Sequence, residues 1–177
     1  RIVFFDGGTG TLLQQKGLQA GELPEIWNIE KKQALIEIHQ NYFESGSDIV
    51  LTNTFGANRI KLHDIHYSIE QIITAAVENA KTAAKNACIN RKGYIALDIG
   101  PSGKLLQPLG DLSFENAYAA FQEMAIAGEK AGADLIVIET MSDIYETKAA
   151  VLAAKENTNL PVFVTVVFDE KGKSISH

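Results

Sequence analysis

The sequence predicts an α/β fold built from repeated strand–helix units around a parallel sheet, on three observations. Leu135, Ile136, Val137 and Ile138 form an apolar run that ends in Glu139 and is followed by a helix-start signal. That is the order expected of a strand covered on both faces that delivers a carboxylate at its tip. Residues 44–55 align without gaps on residues 130–141, which places Asn53 at the position of Glu139, 86 residues away. The offset is twice the size of one βα unit and suits a barrel of such units. Polar groups also end four apolar runs, at Asp6, Asn53, Asp98 and Glu139, spaced by 47, 45 and 41 residues with helical signal in each gap. Polar strand tips at one end of a parallel sheet are where a βα barrel or an open α/β sheet places its active site.

In chain order, residues 2–5 read as a first short strand, followed by the glycine-rich turn Asp6-Gly7-Gly8-Thr9-Gly10-Thr11 and a short helix over residues 12–16. Its glycines permit close backbone approach and exposed N–H groups, so the turn reads equally as a tight connection or as a docking point for an anion or carboxylate. It is neither G-x-G-x-x-G nor a P-loop, and a nucleotide reading is weak. Residues 17–28, with Pro24 and the only tryptophan, Trp27, read as an excursion over one end of the sheet. Leu35, Ile38, His39, Tyr42 and Phe43 mark one face of a helix that stops at Gly46, with His39 read as a packed or half-buried histidine rather than a ligand.

The second strand, residues 48–53, leads into a loop carrying His63 and His66. This pair lacks a third ligand candidate, so a surface loop is favoured over a metal site. Ser68 and Gln71 have capping-box spacing at the start of a helix whose Ile69, Ile72, Ile73, Ala76, Val77 and Ala80 repeat at helical period. Residues 94–97 form the third strand and end in a Gly- and Pro-rich loop, residues 98–110. Ser113 then caps a helix with the face Phe114, Ala117, Tyr118, Phe121, Met124 and Ala125, closed by Gly132. After the strand at residues 135–138, Asp143 and Glu146 have capping-box spacing for a helix running to about Asn157, and residues 162–168 are a fifth strand.

Composition bounds the partners. The 177 residues carry a net charge of −6, with 46% hydrophobic residues and no basic run, which argues against nucleic-acid or anionic-membrane surfaces. No apolar run approaches membrane-spanning length and no signal segment is visible, so a cytoplasmic protein is expected, its sequence beginning after its natural start. The single cysteine, Cys88, excludes an internal disulfide and fits a reducing compartment.

Taken together, Asp6-Gly-Gly-Thr-Gly, Thr52-Asn-Thr-Phe-Gly-Ala, Asp98-Ile-Gly-Pro-Ser-Gly and Glu139-Thr-Met-Ser-Asp resemble the homocysteine S-methyltransferase family over nearly the whole chain. The Asp98 loop and Phe168-Asp-Glu-Lys-Gly-Lys look most like its cobalamin-dependent branch. The resemblance implies a (β/α)8 barrel whose zinc ion binds the homocysteine thiol as thiolate for attack on a methyl group, making methionine. The donor would come from a cobalamin or folate module. By the same resemblance, Glu139 would accept hydrogen bonds from the substrate ammonium, Asp6, Gly7 and Gly8 would line the same amino-acid pocket, and Asn53 and Asp98 would join them by strand-tip position.

One departure from the family is decisive. The family's zinc thiolates lie after the sixth strand and at the eighth, and Cys88 matches neither, so no zinc ligand is assigned within the chain. Residues 1–177 are therefore expected to be a partial homocysteine-binding domain: the N-terminal part of the barrel, about five βα units, inactive alone, with zinc ligands beyond His177. Its open sheet edges are expected to self-associate. Two other readings stand beside it: a different α/β-barrel enzyme that uses carboxylates at its strand tips, and a non-catalytic half-barrel that serves in assembly.

Overall fold

The computed structural model describes residues 2–174. The chain begins with α1 (Thr9–Gln15), a 3-10 turn at Pro24–Ile26, α2 (Trp27–Glu30) and α3 (Lys32–Glu44). It then alternates β1 (Ile49–Leu51), α4 (Ile69–Ala87), β2 (Tyr94–Ile99), α5 (Phe114–Ala131), β3 (Leu135–Met141), α6 (Ile144–Asn157) and β4 (Val162–Val166). The strands form one parallel sheet in sequence order, with Ile49 opposite Tyr94, Ala96 opposite Leu135 and Ile136 opposite Val162. Sequential parallel neighbours joined through helices are consecutive βα units of a barrel.

Strand alternation sorts the side chains into two cores. Val50, Ile95, Leu97, Ile99, Ile136 and Ile138 pack with α4, α5 and α6, whereas Ile49, Ala96, Leu135 and Val137 form a separate cluster on the other face. Among the described residues, none from a helix enters that second cluster. The helices therefore cover one face, and the opposite face is the inner wall. Period two then sends Asn53, Asp98 and Glu139 to the inner side, since each continues the row 49–51, 96 or 135–137.

The helix ends follow the cap chemistry. Ser68 and Gln71 form a reciprocal capping box, and the Ser113 hydroxyl accepts the Asn116 N–H. Gly46 (φ 108°) and Gly132 (φ 86°) close α3 and α5 in the left-handed region, where a side chain would be strained. The internal repeat is also mechanical. Each repeat aspartate holds the preceding unit of the sheet by a backbone amide: Asp48 Oδ2 accepts the Phe4 N–H at 3.1 Å and Asp134 Oδ2 accepts the Ile95 N–H at 2.9 Å.

Two expectations need correction. Residues 2–5 do not form a full strand and are joined to β1 through a single bridge, Phe5 to Ile49. The Phe4 N–H goes to a carboxylate rather than to a ladder carbonyl, and the segment is exposed, with Ile2 at 74%. Asp143 and Glu146 do not make a capping box either. Asp143 caps the Tyr145 N–H, but the Glu146 carboxylate turns inward to the buried Ser102 N–H at 2.7 Å, tying the loop after β2 to α6. A buried amide donor facing a carboxylate gains a charge-assisted bond that an exposed cap would not match.

His39 is fully buried in α3 and neither ring nitrogen has a hydrogen-bond partner. Burial alone pushes its pKa down to about 4. A histidine held neutral in the fold charges more readily when unfolded. Its contribution is complete above the unfolded value of about 6.5 and is lost as pH falls from there towards 4. The full loss is about 3 kcal/mol. His39→Leu should remove this slope, so urea titrations at pH 7 and pH 4.5 should show wild type losing more stability than the variant. Equal losses would contradict the assignment.

Candidate functional site

A cavity of about 820 Å³ opens at the C-terminal ends of the strands, lined among others by Asp6, Glu25, Thr52, Asn53, Asp98 and Glu139. All six sequence-derived candidates, Asp6, Gly7, Gly8, Asn53, Asp98 and Glu139, come together on it. Its size and its mixture of apolar walls with a few convergent polar groups are those of a small-molecule site.

Asp6 is fixed by its backbone neighbours. Its N–H donates to Ile49 O at 3.0 Å, and its Oδ2 accepts the Leu51 N–H at 2.9 Å. Behind it, the Tyr42 hydroxyl donates to Gly8 O at 3.1 Å, and a Cβ on Gly7 would stand 3.2 Å from that hydroxyl. Helix α3 thus presses directly on the turn, which is why a small residue sits at position 7. Burial raises the Asp6 pKa to about 7 against the opposing Leu51 hydrogen bond, and the Glu139 charge adds to the rise.

Asp98 is held by a closed ring of hydrogen bonds. Its N–H donates to Thr52 Oγ1 (3.2 Å), Thr52 and Thr54 share a hydroxyl–hydroxyl bond (2.7 Å), and the Thr54 hydroxyl donates to Asp98 O (2.7 Å). The backbone is therefore pinned while carboxylate Oδ1 is buried with no partner. Burial first, then the charges of Glu139, Asp6 and Glu25, hold its pKa well above the ordinary value. Glu139 itself is half-buried, and desolvation raises its pKa.

A carboxyl whose pKa is raised in the fold costs stability as pH rises from its unfolded value, about 3.9, through the folded one. Asp98→Asn should therefore gain on wild type as pH increases, with the difference in Tm larger at pH 8 than at pH 5. A pH-independent difference would show that Asp98 is not held protonated.

Asn53 serves a different purpose from its repeat partner Glu139. Its Nδ2 donates to Pro24 O at 2.7 Å, and its backbone carbonyl accepts from Asn28 Nδ2 at 2.7 Å. These bonds place the excursion over the pocket mouth. They also bring in Glu25, which sequence reasoning missed: it is 5% exposed, lines the pocket and accepts the Gly56 N–H at 2.8 Å. Its only sequence signal was its place after Pro24 in a segment without apolar periodicity. Phe55, also missed, is a wall residue, and a Cβ on Gly100 would meet its ring at 2.5 Å.

The remaining candidates lie elsewhere. His63 and His66 are exposed on a loop, with His63 Nε2 3.1 Å from Asp64. Cys88 caps the far end of α4, where burial raises its thiol pKa. Among the described residues no three His, Cys, Asp or Glu side chains converge to hold a metal ion, and no helix is long and apolar enough to cross a membrane. The pocket's own donors are carboxylates, which suit a cationic substrate group or hard ions better than zinc with a thiolate.

A family profile described as homocysteine S-methyltransferase matches residues 3–177. The methionine synthase of Mycobacterium tuberculosis is 33% identical over 188 residues, covering 97% of this chain and 16% of that protein. That of Mycobacterium leprae is 32% identical over 186 residues, covering 97% and 15%. The chain thus spans about a sixth of the curated relatives. Among solved structures, the homocysteine methyltransferase MmuM from Escherichia coli superposes with a TM-score of 0.84 in both its oxidised and metallated forms. Identity is 19% in each, and the match covers 99% of this chain and 65% or 66% of the other. At that identity the likeness establishes the fold, including the order of strands and helices around the pocket.

Proposed function

Because this chain belongs to the homocysteine S-methyltransferase family, we propose that its pocket binds the amino-acid end of homocysteine within a longer methyltransferase of the methionine synthase type. The observation that carries this reading is the convergence of Asp6, Asp98 and Glu139 on one cavity beside the Asp6-Gly-Gly turn. The charge of Glu139 raises the pKa of both Asp6 and Asp98, so the carboxylates are unfavourable together until a cation enters. A substrate ammonium supplies that charge.

In this reading Asp6 and Glu139 accept the ammonium's hydrogen bonds, Gly7 and Gly8 allow close approach, and Asp98, whose burial disfavours its charged form, limits the charge the pocket must hold. Asn53 and Glu25 are positioning residues that keep the excursion over the mouth. The family implies zinc to hold the thiol as thiolate, and the residues described here do not fit it. Its ligands, and a cobalamin or folate methyl-donor module, are proposed to lie outside residues 1–177, in a cytoplasmic protein.

The reading is tested by methionine formation from L-homocysteine and a methylcobalamin or methyltetrahydrofolate donor, using the full-length protein. Methionine formed from homocysteine with either donor is expected. Absence of product with both, in a folded and zinc-loaded preparation, would sink the proposal. A carboxylate-based barrel enzyme would then be the reading to pursue.

Residues 1–177 alone should self-associate. Phe163 and Val164 on β4 are 51% and 40% exposed, as are Ile2, Val3 and Phe4 to 51% or more at the other edge. Exposed apolar sheet edges recruit further chains. Light scattering should report oligomers that grow with concentration, and a compact monomer over a wide range would contradict the open-edge account.

A further inference from the structure

We infer that Thr140, held in a left-handed backbone conformation within a bulge of β3, is a positioning residue that aims the Glu139 carboxylate into the pocket. The inference rests on the amino-acid-binding reading of that pocket for its consequence, though not for its geometry.

Thr140 has φ 59° and is the one non-glycine residue with positive φ among those described. A β-branched side chain in this region is sterically disfavoured, and such a conformation persists only where the surroundings over-determine it. Here they do. Ile138 pairs with Val164 and Met141 with Val166, so two residues of β3, Glu139 and Thr140, face one residue of β4, Thr165.

Both flanks are fixed. Ile138 and Met141 are each fully buried in the helix-side core, and the Val167 N–H donates to Met141 O at 2.7 Å, resuming the contact beyond the bulge. Between these anchors the Thr140 N–H donates to the Thr165 hydroxyl at 3.1 Å, a side-chain acceptor standing in for a ladder carbonyl. The strand cannot relax by slipping one residue, because that would expose Met141. An extra residue in one strand bends it and turns the neighbouring side chain away from the regular direction. Alternation already places Glu139 on the inner face, and the bend sets the angle at which its carboxylate enters the pocket it lines, while Thr140 itself is exposed.

Three variants of the full-length protein separate this role from a merely structural one. Deleting Thr140 leaves equal residue counts on the two strands and a regular ladder, with Glu139 still on the inner face. Thr140→Gly keeps the bulge and removes the steric conflict, since glycine occupies positive φ freely. Thr165→Val removes the acceptor of the Thr140 N–H and also a hydroxyl from the pocket wall, so for this variant the Glu139 titration, which needs no substrate, is the diagnostic reading. The deletion should lower L-homocysteine affinity at least tenfold with a Tm equal to or above wild type, and Thr140→Gly should stay within about twofold of wild-type affinity. Thr165→Val should fall between them.

The carbon-13 titration of the Glu139 carboxyl in ligand-free protein supplies a readout that needs no substrate. It should move towards the ordinary glutamate range in the deletion and in Thr165→Val, and stay in place in Thr140→Gly. Wild-type protein that binds no homocysteine would sink the functional reading. A Glu139 titration unmoved by both the deletion and Thr165→Val would overturn the present inference, as would a deletion variant that binds homocysteine as tightly as wild type.

Discussion

Glu139→Gln is expected to weaken L-homocysteine binding by roughly 3- to 30-fold while leaving zinc content unchanged in the full-length protein. The substitution keeps the size of the side chain and replaces a charge-assisted hydrogen bond, worth about 1.5–3 kcal/mol, with a neutral one worth about 1 kcal/mol. The fold should tolerate the change, because Glu139 is half-buried and burial already disfavours its charged form. A carboxylate that only terminated β3 would behave in the opposite way, altering Tm and leaving affinity intact. Calorimetric titration of homocysteine, with zinc quantified in the same samples, separates the two. Unchanged affinity at full zinc occupancy would remove Glu139 from the site, and loss of zinc would make it a ligand rather than an ammonium acceptor.

Gly128→Val is expected to destabilise the fold by about 3 kcal/mol, a large share of the roughly 5–15 kcal/mol that holds a domain of this kind together. A Cβ at Gly128 would stand 2.5 Å from Leu97 Cδ2, and both residues lie in the fully enclosed layer between α5 and β2. Neither side can yield cheaply. The helix continues on both sides of Gly128, and Leu97 is fully buried within the sheet. Gly128→Ala should cost less, because about 1 kcal/mol of improved helix propensity offsets part of the overlap. Urea denaturation should rank wild type above Ala above Val. A valine variant as stable as wild type would mean that α5 can move away from the sheet without loss.

Much of this architecture was legible because it rests on local chemistry. The repeat around Gly46 and Gly132 reads directly as two left-handed helix ends, and the aspartates that follow, Asp48 and Asp134, do the same job in space. The period-two pattern was enough to bring Asn53, Asp98 and Glu139 to one pocket. What sequence could not supply were contacts whose partners are far away in the chain. Glu146 has capping-box spacing, yet its carboxylate is captured by an amide 44 residues earlier. Glu25 enters the site through contacts distant in the chain: Asn53 bonds Pro24 and Asn28, and the Gly56 N–H donates to the Glu25 carboxylate. The strand expected at residues 2–5 has the right residues, but it has one neighbour in the sheet and gives its Phe4 N–H to a side chain. The left-handed Thr140 had no local signal at all, since neither glycine nor asparagine marks the position.

The central claim is that Asp6 and Glu139 hold the ammonium of the amino-acid substrate, and Asp6 offers the most direct test because burial places its pKa at about 7. A carboxyl with that value is about one-tenth ionised at pH 6 and nine-tenths at pH 8, and only the ionised form attracts an ammonium. The measurement is L-homocysteine affinity at pH 6, 7 and 8 for the full-length wild type and Asp6→Asn, taken as a ratio so that titration of the ligand's thiol cancels. The account predicts that wild type gains on the variant by about tenfold between pH 6 and pH 8. A ratio that stays flat across that range would mean that Asp6 does not hold the substrate's charge, and the pocket would have to be assigned to another ligand.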